Sequence, residues 1–243
     1  MIGFCLLLAG CAVDEAMQQR GNSAIEAVAA EWPALEQRSD HSIIELNQTE
    51  SFLRIVVLPD GRLARFGHPH VIGGAISGRL SMDSTRTVDW LDARVAVSTL
   101  EVDRPEWRAA EGFEAELEAE AIAGTRKNML GPKVLDAVQF PMIELRAIPV
   151  GGNAVFPEID LYVRLRGETR RLPMTAAIEF PVRQSGDTTS AESQLEGRMV
   201  ASGSVVIRQS DFDIEPFSAL AGGLSVADAL TVRYRLVIDL PAE

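Results

Sequence analysis

From about residue 41 onward, apolar and polar side chains alternate along the chain with a period of two. Ile159, Leu161, Val163 and Leu165 interleave with Asp160, Tyr162, Arg164 and Arg166. Leu230, Val232, Tyr234, Leu236 and Ile238 do the same against Thr231, Arg233, Arg235, Val237 and Asp239. Successive side chains of an extended strand point to opposite faces. The alternation therefore predicts strands with one buried and one wetted face, the mark of antiparallel sheet. Shorter examples are Leu53/Ile55/Val57, Ile76/Leu80/Met82, Ile143/Leu145, Val205/Ile207 and the run Leu172, Met174, Ala176, Ile178, Phe180. With a strand near 92–102 the count is about eight, the number at which a closed barrel can hold one small ligand in its interior. Closure also removes exposed sheet edges. The expected fold class is all-β, an antiparallel eight-stranded barrel with short helical insertions and an N-terminal helix.

Two segments depart from the period. Ile25, Val28, Ala29 and Trp32 recur at helical spacing, behind a capping Asn22-Ser23 and ahead of Pro33. They predict a short helix inside a polar linker spanning 12–40. Between Pro105 and Gly124, Phe113, Leu117 and Ala121 fall at i, i+4 and i+8, while Glu111, Glu114, Glu116, Glu118 and Glu120 supply a wetted face. Pro105 suits the first turn of a helix and Gly124 a stop. The polar stretch 183–197 predicts a long hairpin loop. With no internal repeat and no linker in the β region, 41–243 reads as one domain.

Charge narrows the partners. The net charge is −12 and basic runs are absent, which argues against nucleic acid. Cys5 and Cys11 are the two cysteines, so the body holds no thiolate nucleophile, disulfide or cysteine metal site. No apolar run reaches the ~18–20 residues that span a bilayer. The first eleven residues, MIGFCLLLAGC, run through an apolar segment into Leu8-Ala9-Gly10-Cys11. This resembles a bacterial lipoprotein signal in which the cysteine is acylated. Residues 1–11 are thus read as a signal segment with Cys11 the lipidation site, and the protein as periplasmic. Ala12, rather than aspartate, resembles lipoproteins anchored to the outer membrane. A basic n-region is lacking and the apolar part is short, so a buried or fraying cysteine is the alternative.

Candidate chemistry is sparse. His68 and His70 form an H-P-H element. Alternate residues of an extended chain share a face, and Pro69 biases His68 toward that geometry. Two imidazoles fall short of the three or four ligands a metal site needs, and His41 has no evident route to them. The alternative is that both line a ligand mouth or bond backbone groups. Neither G-x-S-x-G nor H-E-x-x-H occurs. Asp211 and Asp213 read as a solvated pair. Gly73-Gly74 and Gly222-Gly223 lack the lysine and helix of a phosphate loop. Catalysis is not expected, and neither a cofactor nor a metal is assigned.

Four stretches in order resemble the YceI-like family. They are GRLARFGHPHVIGG (61–74), GTRKNMLGPKVLDAVQFPMIEL (124–145), LRGETRRLPM (165–174) and VVIRQSDFDIEPFSALAGGLSVADALTVRYRLVID (205–239), the last carrying an R-x-S/T-D-F element. The acidic insert and H-P-H depart from the family's simplest pattern. The resemblance implies a periplasmic, lipocalin-like barrel binding a polyisoprenoid lipid, as carrier or sequestering protein. It places candidate ligand contacts at Phe66, His68 and His70, at Arg126, Asn128, Met129 and Phe140, and at Arg208, Phe212 and Phe217. The aromatics and methionine are the expected tail contacts, and Arg126 or Arg208 the expected headgroup contact. Ordinary core packing and surface ion pairs are the alternatives. A different function is a dry barrel serving as a membrane-anchored protein-interaction module that docks through its acidic insert.

Overall fold

A computed structural model describes residues 26–113, 116–180 and 197–240. Within them the fold is all-β and antiparallel, in sheets of seven, six and three strands. The first sheet runs β1 (Val28–Ala29), β11 (Glu168–Thr175), β10 (Pro157–Leu165), β9 (Met142–Gly152), β7 (Val88–Ala96), β6 (Ser77–Met82), β2 (Ser42–Glu45). The second runs β12 (Ala177–Glu179), β13 (Arg198–Arg208), β16 (Ala229–Asp239), β3 (Phe52–Val57), β5 (His70–Ala75), β8 (Glu101–Val102). The third is small: β14 (Ser218–Ala219), β15 (Leu224–Val226), β4 (Pro59–Asp60). The alternating residues of β10 and β16 do form strands, as their period requires.

The strands are more numerous than the eight expected, and they fall into separate sheets. Bends account for much of this. β5 and β6 are separated by the buried Ile76, and β11 and β12 by the buried Ala176. β5 pairs with β3 in the second sheet, whereas β6 pairs with β7 in the first. Likewise β11 pairs with β10, and β12 with β13. A pattern of alternation passes unbroken through such a bend, so 172–180 read as one strand. At another edge Leu46, just after β2, bridges to Ile238 of β16.

The N-terminal helix is absent over its described part. Val28 and Ala29 instead pair with Arg171 and Arg170 of β11. Trp32 lies between the guanidiniums of Arg146 and Arg164, 4.8 and 4.3 Å from its ring centre. Four apolar positions in eight residues are too few to offset helix nucleation, and a strap that docks its tryptophan on the sheet satisfies the same spacing. Residues 1–25, with Cys11 and the signal segment, lie outside the described residues, as do 183–196 of the expected hairpin loop.

The single helix expected from Pro105 to Gly124 is two. Helix α1 (Pro105–Ala110) begins at the proline as read, and the chain turns at Gly112, whose φ is +75°. Helix α2 (Ala119–Leu130) then runs straight through Gly124 and stops before Gly131. α1 docks on β5 because Gly73 is there. A Cβ at that position would sit 2.7 Å from the Trp107 ring.

Inward side chains of the two large sheets face each other. Ile143, Leu145, Leu161 and Val163 come from the first, and Leu53, Ile72, Val205, Val232 and Leu236 from the second. One end of the space between them is bordered by tight turns at 83–87 and 153–156, the hairpin end. At the other, the helical end, lie α1, α2 and the small third sheet. No helix among the described residues is long and apolar enough to cross a membrane.

Candidate functional site

The inward faces do not meet. They enclose a cavity of about 600 Å³ whose wall is overwhelmingly aliphatic and reaches from Arg86, Thr87 and Asn153 at the hairpin end to His68, His70 and Arg208 at the helical end. Pockets that hold small molecules run roughly 300–1,000 Å³ and are mostly apolar with a few placed polar groups. Inside the bore the polar exception is Tyr234. It crosses Gly203 on the neighbouring strand, where a Cβ would stand 2.7 Å from the phenol oxygen. Burial pushes its hydroxyl up to about 12, so the phenol stays protonated and can donate a hydrogen bond.

The helical end is organised around a carboxylate absent from the residues picked out by sequence. Asp103 follows β8 in a left-handed conformation, φ +55°, and its N–H donates to Val71 O at 2.8 Å. Its side chain is fully buried. His70 Nδ1 lies 2.6 Å from Oδ2, and Oδ1 accepts from Val71 N–H at 2.9 Å and Arg108 Nη1 at 2.9 Å. Arg108, itself buried, also donates to Pro69 O at 2.6 Å. Burial alone pushes the Asp103 carboxyl up. The bonds from His70, Val71 and Arg108 outweigh it and hold the group below the ordinary carboxylate range.

This network dictates the state of His70. An ionised carboxylate is acceptor-only, so Nδ1 carries the proton. Nε2 is left without a hydrogen bond among the described residues, on a ring that forms part of the cavity wall. A neutral His70 accepts from a hydroxyl there, and a protonated one donates to an oxyanion or carbonyl. No three His, Cys, Asp or Glu side chains come together as a metal site among the described residues.

The other residues expected from sequence divide into two groups. His68, Asn128, Met129, Arg208, Phe212 and Phe217 all belong to the cavity wall beside His70. The side chain of Arg208 makes neither a hydrogen bond nor an ion pair among the described residues, and the residue is exposed. Phe212 and Met129 are buried, Phe217 partly exposed. Phe66, Arg126 and Phe140 are not in the wall. Phe66 points outward with Arg65 stacked on it, 4.6 Å from the ring centre. Arg126 clamps α2 to the loop after β7 by donating to Leu100 O at 3.1 Å and Ser98 O at 2.7 Å. Phe140 covers Gly167 at the turn between β10 and β11.

Asp103 and Arg108 escaped sequence reasoning. Asp103 sits 33 residues from the histidine it engages, so no local spacing links them. The only available hint was an aspartate and an arginine flanking a predicted helix start, a common pattern for caps.

No family model matches the chain, and no curated protein matches it. Solved structures do. The crystal structure of BcnA from Burkholderia cenocepacia is 12% identical with a TM-score of 0.50, the match covering 79% of this chain and 98% of that one. A YceI protein from Campylobacter jejuni is 11% identical with a TM-score of 0.45, over 69% of this chain and 82% of that one. A variant of that protein holding a monobromobimane guest is 10% identical with a TM-score of 0.46 over the same shares. At such identities the likeness is one of fold alone, and the BcnA match carries it. The chain has a YceI-like fold.

Proposed function

We propose that this protein binds a long apolar lipid of polyisoprenoid type in the cavity between its sheets, as a periplasmic carrier or sequestering protein without catalytic activity. The observation that carries the reading is an aliphatic bore of about 600 Å³ whose polar groups, Tyr234 apart, are gathered near its ends. Each buried CH₂ is worth about 0.8 kcal/mol. Ten methylenes therefore bring about 8 kcal/mol gross, before ordering costs are subtracted. The tail lies along Leu145, Leu161, Val205 and Leu236. The polar end rests at the helical end, within reach of Arg208, Asn128 and the Nε2 of His70.

A closed eight-stranded barrel is part of the same proposal. Support comes from the pairings. If each bent pair is taken as one strand, the order β3, β5–β6, β7, β9, β10, β11–β12, β13, β16 returns to β3. Anchoring through Cys11 at the outer membrane is supported by the Leu8-Ala9-Gly10-Cys11 sequence.

Native mass spectrometry of gently prepared protein tests the carrier reading, together with displacement of a fluorescent apolar probe by a long-chain prenol. A co-purified apolar adduct and stoichiometric displacement are expected. Ala201→Trp fills the bore from β13 and should abolish probe binding while far-UV circular dichroism is unchanged. Probe binding that survives in Ala201→Trp would refute a site inside the bore.

A further inference from the structure

We propose that the small third sheet and the turns beside it are a docking surface for an anionic phospholipid bilayer, placed where cargo enters the bore. The cargo half of this rests on the lipid-binding reading, and the docking half does not.

The first observation is a group of four exposed apolar side chains on one element, larger than the group formed by Val150, Val155 and Phe156 at the hairpin end. Phe66 is 62% and Leu220 67% exposed, and Leu58 and Phe217 also present their side chains to solvent. All four belong to the same small assembly. Ala227 N–H donates to Leu58 O at 2.8 Å, and Val226 N–H to Phe217 O at 2.9 Å. Leu63, in the turn before Phe66, donates its N–H to Gly223 O at 2.8 Å and packs on Gly223, three residues after Leu220. Large apolar side chains grouped on a protein surface mark an interaction site.

The second is backbone strain at the tip. Leu220 and Ala221 are consecutive non-glycine residues in the left-handed region, with φ of +50° and +53°. L-residues visit it at a cost, and such strain collects at functional sites. What this turn achieves is the display of a leucine into solvent.

The third is charge. Residues 58–68 carry Arg62 and Arg65 against one acid, Asp60, whose carboxylate accepts Gly61 N–H at 2.7 Å, and residues 216–227 carry no charge, with Glu215 and Asp228 flanking them. On a chain of net charge −12, Arg62 and Arg65 place two cations beside the exposed apolar side chains. Neither arginine has a carboxylate partner among the described residues, unlike Arg104, Arg146 or Arg198. Aromatic and aliphatic side chains entering the acyl boundary, with arginines at headgroup level, are the chemistry of a membrane-surface anchor.

The fourth is continuity. Leu58, Phe217 and Leu224 of the same assembly also line the bore at the helical end. A bilayer seated there faces the cavity mouth, so a tail can pass without crossing water.

The test uses the full chain carrying Cys11→Ala, which removes any acyl anchor, in flotation with vesicles of phosphatidylcholine and phosphatidylglycerol mixed about 3:1 and with phosphatidylcholine alone. The protein is expected to float with the anionic vesicles and more weakly with neutral ones. The double variant Phe66→Ser/Leu220→Ser should lose roughly tenfold in bound fraction with unchanged thermal unfolding. Arg62→Gln/Arg65→Gln should erase the preference for anionic lipid. The proposal is overturned if the parent chain stays at the bottom of the gradient, or if the double variant floats equally. It is equally overturned by a concentration-dependent dimer in sedimentation, lost in the double variant, with no vesicle binding, because the surface then belongs to a second copy. Vesicle binding by a protein that carries and takes up no apolar ligand would leave docking intact and remove the carrier reading.

Discussion

The two ends of the bore are held by different kinds of contact. At the hairpin end the turns satisfy themselves. Asp83 Oδ1 accepts from the N–H groups of Thr85 and Thr87, both at 2.8 Å, and from the Thr85 hydroxyl at 2.7 Å. Asn153 Oδ1 accepts from Val155 and Phe156 N–H, both at 2.9 Å. At the helical end the governing bonds span the chain: 33 residues from His70 to Asp103 and 39 from Pro69 to Arg108. The hairpin end combines these local turns with largely exposed long-range pairs, Arg198 with Glu50 and Asp239, and Asn47 with Asp239. The helical end is built on a single buried assembly on which β5, β8 and α1 converge, beside the wall residues His68, Asn128 and Arg208. In the carrier reading proposed above, ligand exchange falls at the helical end, where Arg208, Asn128 and His70 line the wall.

The contrast breaks most visibly at Asp103. Asp103→Asn keeps the shape but takes the charge from the buried carboxylate that bonds His70, Val71 and Arg108, and breaking one partner of a buried pair costs about 3–5 kcal/mol. Urea unfolding should show that loss. Acid should reveal the same dependence. The folded carboxyl is held below its ordinary value of 3.8, so its contribution is fully present above that pH. It drains away as the pH falls below it through the folded-state value. In Asp103→Asn this part of the acid sensitivity should vanish.

A smaller loss is expected at Gly73. Gly73→Leu drives a side chain into the Trp107 ring and should lift α1 from β5, at about 1–3 kcal/mol by calorimetry. Conversely, Arg208→Gln should leave stability alone and lower affinity for a prenyl phosphate roughly tenfold, about 1.4 kcal/mol. Affinity for the parent alcohol should barely change. The same substitution of Arg86, at the hairpin end, should not alter either affinity. If Arg86→Gln has the larger effect, the ligand lies the other way round. The least effect belongs to Asp83→Ala, which removes bonds to one exposed turn and should leave the urea unfolding midpoint almost unchanged.

Legibility in the sequence follows the same division. The alternation in β10 and β16 requires nothing beyond the next residue but one, and both were readable. Pro105 could be read as a helix start because proline needs no donor there. Gly124 reads as a stop in sequence, yet a glycine inside a helix costs only about 1 kcal/mol and tertiary packing overrides it. Trp32 reads as part of a helix because spacing cannot tell a helix face from a strap pinned by Arg146 and Arg164. His68 and His70 were noticed through their own pattern. Asp103, which orients one of them, was not, since its role exists only after β5 and β8 pair.

By itself, then, the sequence determined which side chains point inward, where the local turns form, and that the chain is antiparallel β. The bends at Ile76 and Ala176, the buried Asp103 network and the exposed sheet beside the mouth were decided by tertiary structure alone. So was the empty space itself. Period-two alternation records which face of each strand is apolar, but whether opposed faces touch depends on the separation of two sheets, and that distance is written in no local stretch of residues.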